Sequence, residues 1–364
     1  MRYDLALMSS RDEPHAELSS RDESFETTIL FGGSSRERLV SVASAQHLTQ
    51  VYPAAELWFW SEHDSFVTVP REQLLAHRDP FEHPLVPSGK PFASSLDQLL
   101  EHAARTRRLL LLGLHGGRAE DGQLARACEA RNIPFTGSGS RASEVSFHKP
   151  QAKELAAAAG IQVAPALLLQ NAHDGLDTRL HEWLQQYGKL VAKPAADGSS
   201  YGLHFIESDM DLERLPVLAG HEPYLVEAFL AGPEASVGVV DWGGELEVLP
   251  PVEIRINEDR AFDYAGKYLG SGTREVCPAE LPSETILALQ AAALTVYKAV
   301  GAYGYARSDF IVTEQGPTFL EINTLPGLTK SSLIPLELAA AGHSFERFMN
   351  TQIALAVKRA RSKG

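Results

Sequence analysis

One stretch near the C-terminal end of the chain constrains the fold more than any other. Residues 305–312 (YARSDFIV) and 318–323 (TFLEIN) have the composition of β-strands, and EQGP at 314–317 is typical of a turn. The next run, TLPGLT at 324–329, contains a Pro-Gly turn that could direct backbone N–H groups towards an anion. The sequence therefore predicts a β-hairpin that leads into an anion-binding turn.

The predicted hairpin carries four polar side chains. Because side chains alternate between the faces of a strand, Arg307 and Asp309 share one face of the first strand. Glu321 and Asn323 share one face of the second strand in the same way. If the turn places Asp309 opposite either of them, two carboxylates and an amide oxygen converge, a ligand set that suits Mg²⁺. The alternative is an amphipathic hairpin whose polar face meets solvent, but Arg307 and the Pro-Gly turn favour a metal site.

Composition limits the classes of protein to consider. A length of 364 residues is enough for two or three packed units. A net charge of -14 argues against nucleic acid or a membrane surface as partner. The two cysteines, Cys128 and Cys277, show no metal-site spacing, and the sequence has no apolar run of the ~20 residues that a membrane span needs and no signal peptide. We therefore expect a cytoplasmic protein.

The N-terminal part predicts an open α/β domain. After a polar tail, residues 1–26, the run TTILF passes directly into GGSSRE and a helix that begins at Arg38. A strand, a glycine turn and a helix begin a doubly wound unit, whose ligands bind at the carboxyl ends of its strands, so Glu37 should face that crevice. The alternative is a tight connection without function. A second apolar strand at 109–114 suits a parallel sheet buried on both faces, and it ends in the polar loop HGGRAEDG.

The middle of the chain predicts a phosphate site. A helix is expected from Ser146 through Ala159, with Lys149 near its start, and a strand at 190–193 delivers Lys193 into the loop PAADGSSYG. Such a loop offers backbone N–H groups and hydroxyls to phosphate oxygens, and lysines supply positive charge. Alternatively the loop is a hairpin turn and the lysines are solvated surface groups.

The remaining patterns set the domain boundaries. A strand at 224–230 runs towards a boundary at Gly232-Pro233, and two strands, 234–240 and 245–254, should form a hairpin. The loop 262–272 is rich in glycine and aromatic residues, as functional lids often are. Helices are expected from Ser283, as N-cap, to Val300, and from about Ser344 to the end. We predict domains at 27–137, 138–230 and 231–364.

Together these motifs resemble the D-alanine-D-alanine ligases, members of the ATP-grasp superfamily of carboxylate-amine ligases. The resemblance covers roughly 27–349 and rests on six motifs in the family's order: GGSSRE at 32–37, HGGRAEDG at 115–122, KPAADGSS at 193–200, KY at 267–268, RSD at 307–309 and EINTLPG at 321–327. It implies an ATP-grasp fold preceded by an open α/β domain, doubly wound with a parallel sheet.

The resemblance implies that ATP and Mg²⁺ are the cofactors. Asp309, Glu321 and Asn323 match the ligands of two Mg²⁺ ions, for which Mn²⁺ could substitute. Lys149 and Lys193 match the phosphate-binding lysines, and Lys267 matches a further cofactor-binding residue. The segment Glu227, Ala228, Phe229, Leu230 matches the adenine-binding strand, and Glu234 matches the carboxylate that binds the ribose.

The resemblance also implies substrate and catalytic residues. Glu37 would hold the ammonium group of the first D-alanine and would form a hydrogen-bonded set with Ser199 and Tyr268. Arg307 and the backbone N–H of Gly327 would stabilise the oxyanion of the tetrahedral intermediate. His115 and Ser332 complete the substrate-binding residues, Ser332 at the carboxylate of the second substrate. Tyr268 accompanies an amine second substrate in the family, so a dipeptide product is expected.

Three departures from the family pattern concern substrate choice. Ala119 replaces a usual glycine, His148 a common aspartate, and Tyr201 a smaller aliphatic residue beside the phosphate loop. Tyr201 and the N-terminal tail leave open an ATP-grasp ligase that joins other amino acids. A nucleotide-binding protein without catalysis is a second alternative, against which the presence of Glu37, Arg307 and Asp309 argues. Family members are usually homodimers, so the resemblance implies a homodimer with small-molecule substrates.

Overall fold

The computed structural model describes residues 25–170, 178–196, 198, 201–220, 222–256 and 273–362. Three of the predicted site residues, Ser199, Lys267 and Tyr268, lie outside this part of the chain, as do most of the predicted tail and the loop 262–272. Within the described residues, no helix combines the length and the apolar character that a bilayer crossing requires.

The N-terminal sheet has five strands in the order β4-β3-β2-β1-β5. Their bounds are β1 Glu26–Gly32, β2 Glu56–Trp60, β3 Phe66–Thr68, β4 Pro91–Ala93 and β5 Arg108–Leu112. The predicted parallel sheet is confirmed for β1, which pairs in parallel with β2 and β5. Strand β3 is antiparallel to β2, because the connection from Trp60 to Phe66 is too short for a parallel crossover, and the edge strand β4 is antiparallel to β3.

Helices cover both faces of this sheet. They are α1 Arg38–Val51, α2 Arg71–Ala76, α3 Leu96–Arg105 and α4 Gln123–Glu129. As predicted, β5 is buried on both faces: Leu109 and Leu111 pack in one hydrophobic cluster, whereas Leu110 and Leu112 pack in another. The carboxyl ends of β1 and β5 therefore form a rigid edge from which Glu37 and His115 project.

The predicted helix from Ser146 is wrong in its start and in its continuity. The structure has α5 Ser140–Phe147 and α6 Lys149–Ala158, separated by His148 in an extended conformation. Pro150 explains the break, since it has no N–H and its ring would clash with a carbonyl of the preceding turn. The break places Lys149 at the first position of a new helix.

The central sheet is antiparallel, in the order β7-β10-β8-β9. The elements that follow α6 are β6 Gln162–Val163, β7 Ala166–Leu169, α7 Thr178–Tyr187, β8 Leu190–Pro194, β9 His204–Ile206, α8 Asp209–Ala219 and β10 Tyr224–Ala228. Strand β6 pairs with the C-terminal sheet instead, and α6 packs on that sheet through Ala152 and Ala156. The 138–230 segment thus contributes to two sheets.

The C-terminal sheet has the order β14-β13-β11-β15-β16-β6, with β12 paired to β11. Its remaining elements are β11 Glu234–Asp241, β12 Leu246–Val248, β13 Val252–Ile256, β14 Thr273–Val276, α9 Ser283–Val300, β15 Tyr305–Thr313, β16 Gly316–Asn323, α10 Leu333–Ala340 and α11 Phe345–Arg361. The second strand predicted at 245–254 is split, because Pro250 and Pro251 cannot donate to a ladder.

Two predicted helix starts differ in how they are capped. Ser283 is the first residue of α9 and makes no capping hydrogen bond, so its prediction as N-cap is wrong; Pro282 occupies that position. Ser344 does cap α11, since its hydroxyl accepts a hydrogen bond from the backbone N–H of Arg347.

Candidate active site

The predicted hairpin of β15 and β16 is confirmed, and its register decides what the sequence left open. Asp309 pairs with Glu321, and Arg307 pairs with Asn323. A register shift follows directly after Asp309. Paired residues point to the same side of a sheet, so all four side chains lie on one face. Glu321, rather than Asn323, is therefore the direct neighbour of Asp309.

Asp309 is the buried centre of this face. Arg307 holds it with two parallel hydrogen bonds, from Nε to Oδ1 at 2.9 Å and from Nη2 to Oδ2 at 2.8 Å. Ser236 donates to Oδ1 at 2.5 Å, and the Asn323 amide donates to Oδ2 at 3.3 Å. The sequence prediction missed Ser236. The signal was its position two residues after Glu234 on a strand, which places both side chains on the Asp309 face.

This donor set suits a divalent cation. Asp309 and Glu321 offer carboxylate oxygens side by side, and Asn323 adds an amide from the next paired position. Hard cations such as Mg²⁺ take one or two carboxylates and complete their shell with phosphate oxygens and water. Lys149, whose Nζ lies 3.3 Å from a Glu321 oxygen, brings positive charge to the same place. The residues therefore fit Mg²⁺ bound together with a polyphosphate.

Glu37 projects from the N-terminal domain into a crevice at the carboxyl end of β1, as predicted, and two glycines lie beside its carboxylate. A Cβ atom on Gly116 would lie 2.6 Å from Glu37 Oε2, and a Cβ atom on Gly198 would lie equally close. A side chain at either position would displace the carboxylate. Gly198 follows Lys193 in the predicted phosphate loop, so this residue of the loop lies against Glu37.

His115 is buried and fixes the Pro-Gly turn. Its Nδ1 lies 2.9 Å from the carbonyl oxygen of Leu325, and its Nε2 lies 2.8 Å from Ser44 Oγ. Burial lowers the pKa of His115, so the ring is neutral at pH 7: Nδ1–H donates to the carbonyl and Nε2 accepts from Ser44. Ser44 Oγ in turn accepts from the N–H of Leu328. Both sides of Gly327 are thus tied to the N-terminal domain.

Glu120 supports the same turn. Its carboxylate accepts hydrogen bonds from the backbone N–H of Gly116 at 3.1 Å and from that of Leu325 at 3.3 Å. Burial, and secondarily the charge of Glu37, raise the pKa of Glu120 to about 7. The sequence placed Glu120 in a family motif without a role. The structure shows that it joins the loop after β5 to the turn after β16.

Ser332 closes the far side of the turn at the N-terminus of α10. Its Oγ accepts from the backbone N–H of Thr329 at 3.1 Å and lies 2.7 Å from the Thr329 hydroxyl. A Cβ atom on Gly327 would come within 2.5 Å of Ser332 Oγ. Only glycine therefore lets the backbone at 327 approach this serine.

A buried charge cluster under the central sheet was only half predicted. Glu227 lies between Lys153 and Lys193, with Nζ–Oε distances of 2.7 and 2.6 Å. Lys153 Nζ also donates to the carbonyl oxygen of Phe319 at 3.0 Å. The sequence prediction assigned only the backbone of Glu227 and missed Lys153, although Lys153 lies four residues after Lys149 on one helix face.

The two lysines of this cluster differ in their electrostatics. Burial lowers the pKa of Lys153 to about 8, although Glu227 opposes the shift. At Lys193 burial acts in the same direction, but the charges of Glu227 and Glu321 outweigh it and raise the pKa. Lys193 thus remains a cation beside the carboxylate face of the hairpin.

The predicted adenine segment follows this cluster. Ala228 ends β10, and its N–H donates to the carbonyl of Pro165, whereas the N–H of Phe229 donates to that of Lys189. The Phe229 ring is exposed, and Lys189 Nζ lies 4.5 Å from its centroid. Leu230 follows directly, and Glu234 begins β11 on the Asp309 face.

One cavity unites most of the predicted catalytic, substrate and metal residues. Its lining includes Glu37, His115, Arg307, Asp309, Glu321, Asn323, Gly327 and Ser332. The predicted ATP residues, namely Lys149, Lys193, Glu227, Ala228, Phe229, Leu230 and Glu234, are not part of this lining, and Lys149 is joined to it through Glu321. Glu275 also lines the cavity and was not foreseen; burial raises its pKa, against the charge of Arg307.

This architecture defines a class of protein. An open α/β domain precedes an antiparallel sheet that carries Lys193 and a second sheet that carries the carboxylate hairpin, and the cavity lies between the N-terminal domain and the second sheet. That is the ATP-grasp fold of carboxylate-amine ligases, here with an N-terminal α/β domain.

Comparison with known proteins gives the family. The family model "D-ala D-ala ligase N-terminus" matches residues 26–138, and "D-ala D-ala ligase C-terminus" matches residues 155–354. The chain belongs to the D-alanine-D-alanine ligase family.

Individual relatives agree with this assignment. The chain is 32% identical over 326 residues to a D-alanine-D-alanine ligase of Nitrosomonas eutropha, covering 88% of this chain and 93% of the relative. It is 36% identical over 265 residues to a D-alanine-D-alanine ligase of Oleidesulfovibrio alaskensis, covering 72% and 82%. Among solved structures, it is similar to the VanG D-Ala:D-Ser ligase of Enterococcus faecalis, with 26% identity and a TM-score of 0.77 over 92% of this chain and 99% of that one.

Proposed function

We propose that this protein is an ATP-dependent, ADP-forming ligase that joins two D-alanines into D-alanyl-D-alanine for peptidoglycan precursor synthesis. The observation that carries the proposal is the single cavity in which Glu37, Arg307 and Gly327 meet the paired carboxylates of Asp309 and Glu321. Family membership supports the same activity.

The cofactor side of the site consists of ATP and Mg²⁺. Asp309, Glu321 and Asn323 would hold the metal, as two Mg²⁺ ions, with Mn²⁺ as a possible substitute. When bound, Mg²⁺ would neutralise part of the negative charge of the phosphates. Lys149 and Lys193 bind phosphate oxygens, and we assign the same role to Lys267. Their positive charge draws the terminal phosphate towards the carboxylate to be activated.

The nucleoside part of ATP binds along β10 and the start of β11. Backbone groups of the segment Glu227, Ala228, Phe229, Leu230 contact the adenine, and the carboxylate of Glu234 accepts from the ribose hydroxyls. The side chain of Glu227 faces Lys153 and Lys193, so it ties the base-binding strand to a phosphate-binding lysine.

The first chemical step activates a carboxylate. Glu37 binds the ammonium group of the first D-alanine, within the hydrogen-bonded set that includes Ser199 and Tyr268. A carboxylate oxygen of this D-alanine attacks the terminal phosphorus of ATP, ADP leaves, and an acyl phosphate forms. The phosphoryl group turns a poor electrophile into one with a good leaving group.

The second step forms the amide. His115 holds the Pro-Gly turn, and Ser332 binds the carboxylate of the second D-alanine. Its amine attacks the acyl carbon, a proton leaves the nitrogen, and phosphate departs. Arg307 and the N–H of Gly327 stabilise the negative oxygen of the tetrahedral intermediate, where charge develops.

We further propose that the enzyme is a homodimer in the cytoplasm. The homodimer follows the usual state of the family, and the cytoplasm fits the composition, with two cysteines that lack a disulfide or zinc spacing.

The decisive experiment measures phosphate release from ATP and Mg²⁺ with D-alanine, L-alanine, D-serine or D-lactate, with products identified by mass. The expected result is turnover with D-alanine that yields D-alanyl-D-alanine. Turnover only with another amino acid would overturn the substrate assignment and keep the mechanism. The absence of turnover with all four compounds would contradict the proposed activity.

A further inference from the structure

A cation–π contact joins the N-terminal domain to the phosphate loop. The guanidinium carbon of Arg36 lies 3.2 Å from the centroid of the Tyr201 ring. Arg36 belongs to the turn between β1 and α1, whereas Tyr201 follows β8 of the central sheet. Tyr201 is 53% exposed, a position at which a tyrosine ring gains little from burial. The half-exposed ring thus stacks on a cation of the N-terminal domain.

The stack lies beside the approach of Glu37 to Gly198. Glu37 is the next residue after Arg36, and the backbone N–H of Tyr201 donates to the carbonyl oxygen of Gly198 at 3.3 Å. The carboxylate of Glu37 fills the space above Gly198. The Arg36–Tyr201 stack and the approach of Glu37 to Gly198 are therefore neighbouring contacts between the same two segments.

The opposite side of this segment is anchored to the central sheet. The hydroxyl of Tyr224, on β10, donates to the carbonyl oxygen of Gly202 at 3.1 Å. Gly202 has a φ of 70°, and a Cβ atom there would lie 2.7 Å from the Tyr224 hydroxyl. Tyr201 thus stands between a fixed point on the sheet and the guanidinium of the other domain.

The alternative is that the stack of Arg36 on Tyr201 is a chance contact between two surface side chains. The neighbouring arginine argues against it, because Arg38 forms an ion pair with Glu62 within its own domain. Two basic side chains two residues apart therefore have different partners: Arg38 pairs within its own domain, whereas Arg36 stacks on Tyr201. Arg38 also provides a matched control.

We propose that Arg36 and Tyr201 form a positioning pair that holds Gly198 against Glu37 and thereby sets the affinity for the ammonium group of the first amino acid. The role of Glu37 in this inference rests on the proposed function. Neither Arg36 nor Tyr201 touches a reacting atom, so the pair affects binding of the first substrate more than the chemical step.

The kinetic test separates the first-substrate KM from kcat. Tyr201→Leu and Arg36→Ala should each raise the KM for the first D-alanine about 2- to 5-fold, the size expected of one exposed cation–π contact, with kcat nearly unchanged. Tyr201→Phe keeps the ring and should restore the wild-type KM. The double variant should be no worse than either single variant, since both remove one contact. Arg38→Ala should leave the KM unchanged.

Three kinetic results would contradict the proposed pair: an unchanged KM in Tyr201→Leu, an equal rise in KM in Tyr201→Phe, or additive effects on KM in the double variant.

A second measurement does not depend on turnover. Chymotrypsin cleaves after exposed tyrosines, and cleavage after Tyr201 can be identified by fragment mass. Arg36→Ala should speed this cleavage several-fold, whereas Arg38→Ala should not.

The two tests also distinguish this inference from the proposed function. If Arg36 protects Tyr201 from cleavage but the enzyme is inactive with D-alanine, the contact is supported and the proposed substrate is rejected. Equal cleavage rates in all variants would reject the contact itself, whatever the activity.

Discussion

Asp309 lies directly opposite Glu321 across the β15–β16 pair, and Arg307, two residues away on the same strand, grips Asp309 through two hydrogen bonds. One hairpin therefore carries both the proposed metal ligands and the proposed oxyanion-stabilising cation. Their positions are coupled, because a change at Arg307 alters the hydrogen bonds of Asp309. Mutations in this hairpin must be compared in pairs to separate the two roles.

Arg307→Ala should abolish ligation and leave ATP binding largely intact, because the positive charge is needed where negative charge develops in the transition state. A loss of about 10²- to 10³-fold in kcat is expected for a missing oxyanion donor. Steady-state kinetics and calorimetric titration with ATP would measure the two effects separately.

Arg307→Lys is the matched control for this variant. Lysine keeps the charge but cannot reproduce the two-pronged hydrogen bonds to Asp309. It should recover part of the rate if charge at the intermediate is what matters. Wild-type turnover in Arg307→Ala would remove Arg307 from its assigned role.

Glu321→Gln should raise the Mg²⁺ concentration for half-maximal activity at least about 10-fold, because a neutral amide replaces an anionic oxygen ligand. Glu314→Gln, an exposed glutamate in the turn of the same hairpin, should leave the Mg²⁺ dependence unchanged. Direct Mn²⁺ binding in the presence of ATP, measured by electron paramagnetic resonance, gives the same comparison without turnover. Identical metal affinity in wild type and Glu321→Gln would exclude Glu321 as a ligand.

Local pattern was sufficient to predict the hairpin and its polar face, since alternation alone puts Arg307 with Asp309. It could not choose between Glu321 and Asn323 as the partner of Asp309, because register depends on the turn and on the irregularity after Asp309. The helix boundary at His148 was missed although its cause is local, because Pro150 lies in the first turn of α6.

Long-range contacts account for the other omissions. Lys153 and Glu227 are far apart in sequence, and their ion pair exists only because α6 packs across the sheets. Ser236 acquires its role only when β11 pairs with β15. The pairing of Arg36 with Tyr201 likewise requires two domains to meet. A single sequence supplies residue types at such places but not the partners.

Glu227→Ala should destabilise the protein by about 3–5 kcal/mol, because it leaves Lys153 and Lys193 buried without their shared counter-ion. Chemical denaturation at pH 7 would measure the change. Glu207→Ala is the matched control: it removes an ion pair to Lys189, with a distance of 2.6 Å, from the exposed surface of the same sheet. That loss should cost about 0–1 kcal/mol. Equal costs for the two variants would show that the buried cluster contributes no more than a surface pair.

Glu337 is fully buried against the C-terminal sheet. Its Oε1 accepts from the backbone N–H of Gly238, the residue paired with Arg307, and within the described part of the chain Oε2 has no hydrogen-bond partner. Burial raises the pKa of Glu337 well above its usual value of 4.5, and the charge of Arg307 and the Gly238 hydrogen bond offset this only in part. The folded protein thus keeps a proton that the unfolded chain loses above pH 4.5.

It follows that Glu337 contributes stability that is fully present below the unfolded pKa and is lost as pH rises through the folded pKa. Glu337→Gln cannot titrate, so its unfolding free energy relative to wild type should increase with pH between 5 and 8, by at most about 1.4 kcal/mol per pH unit. Urea denaturation across this range measures the difference, in which all other titrating groups cancel. Glu346→Gln, an exposed position at the start of α11, should give a flat difference. A flat difference for Glu337→Gln as well would mean that the buried carboxyl is ionised in the folded protein and that its charge is compensated.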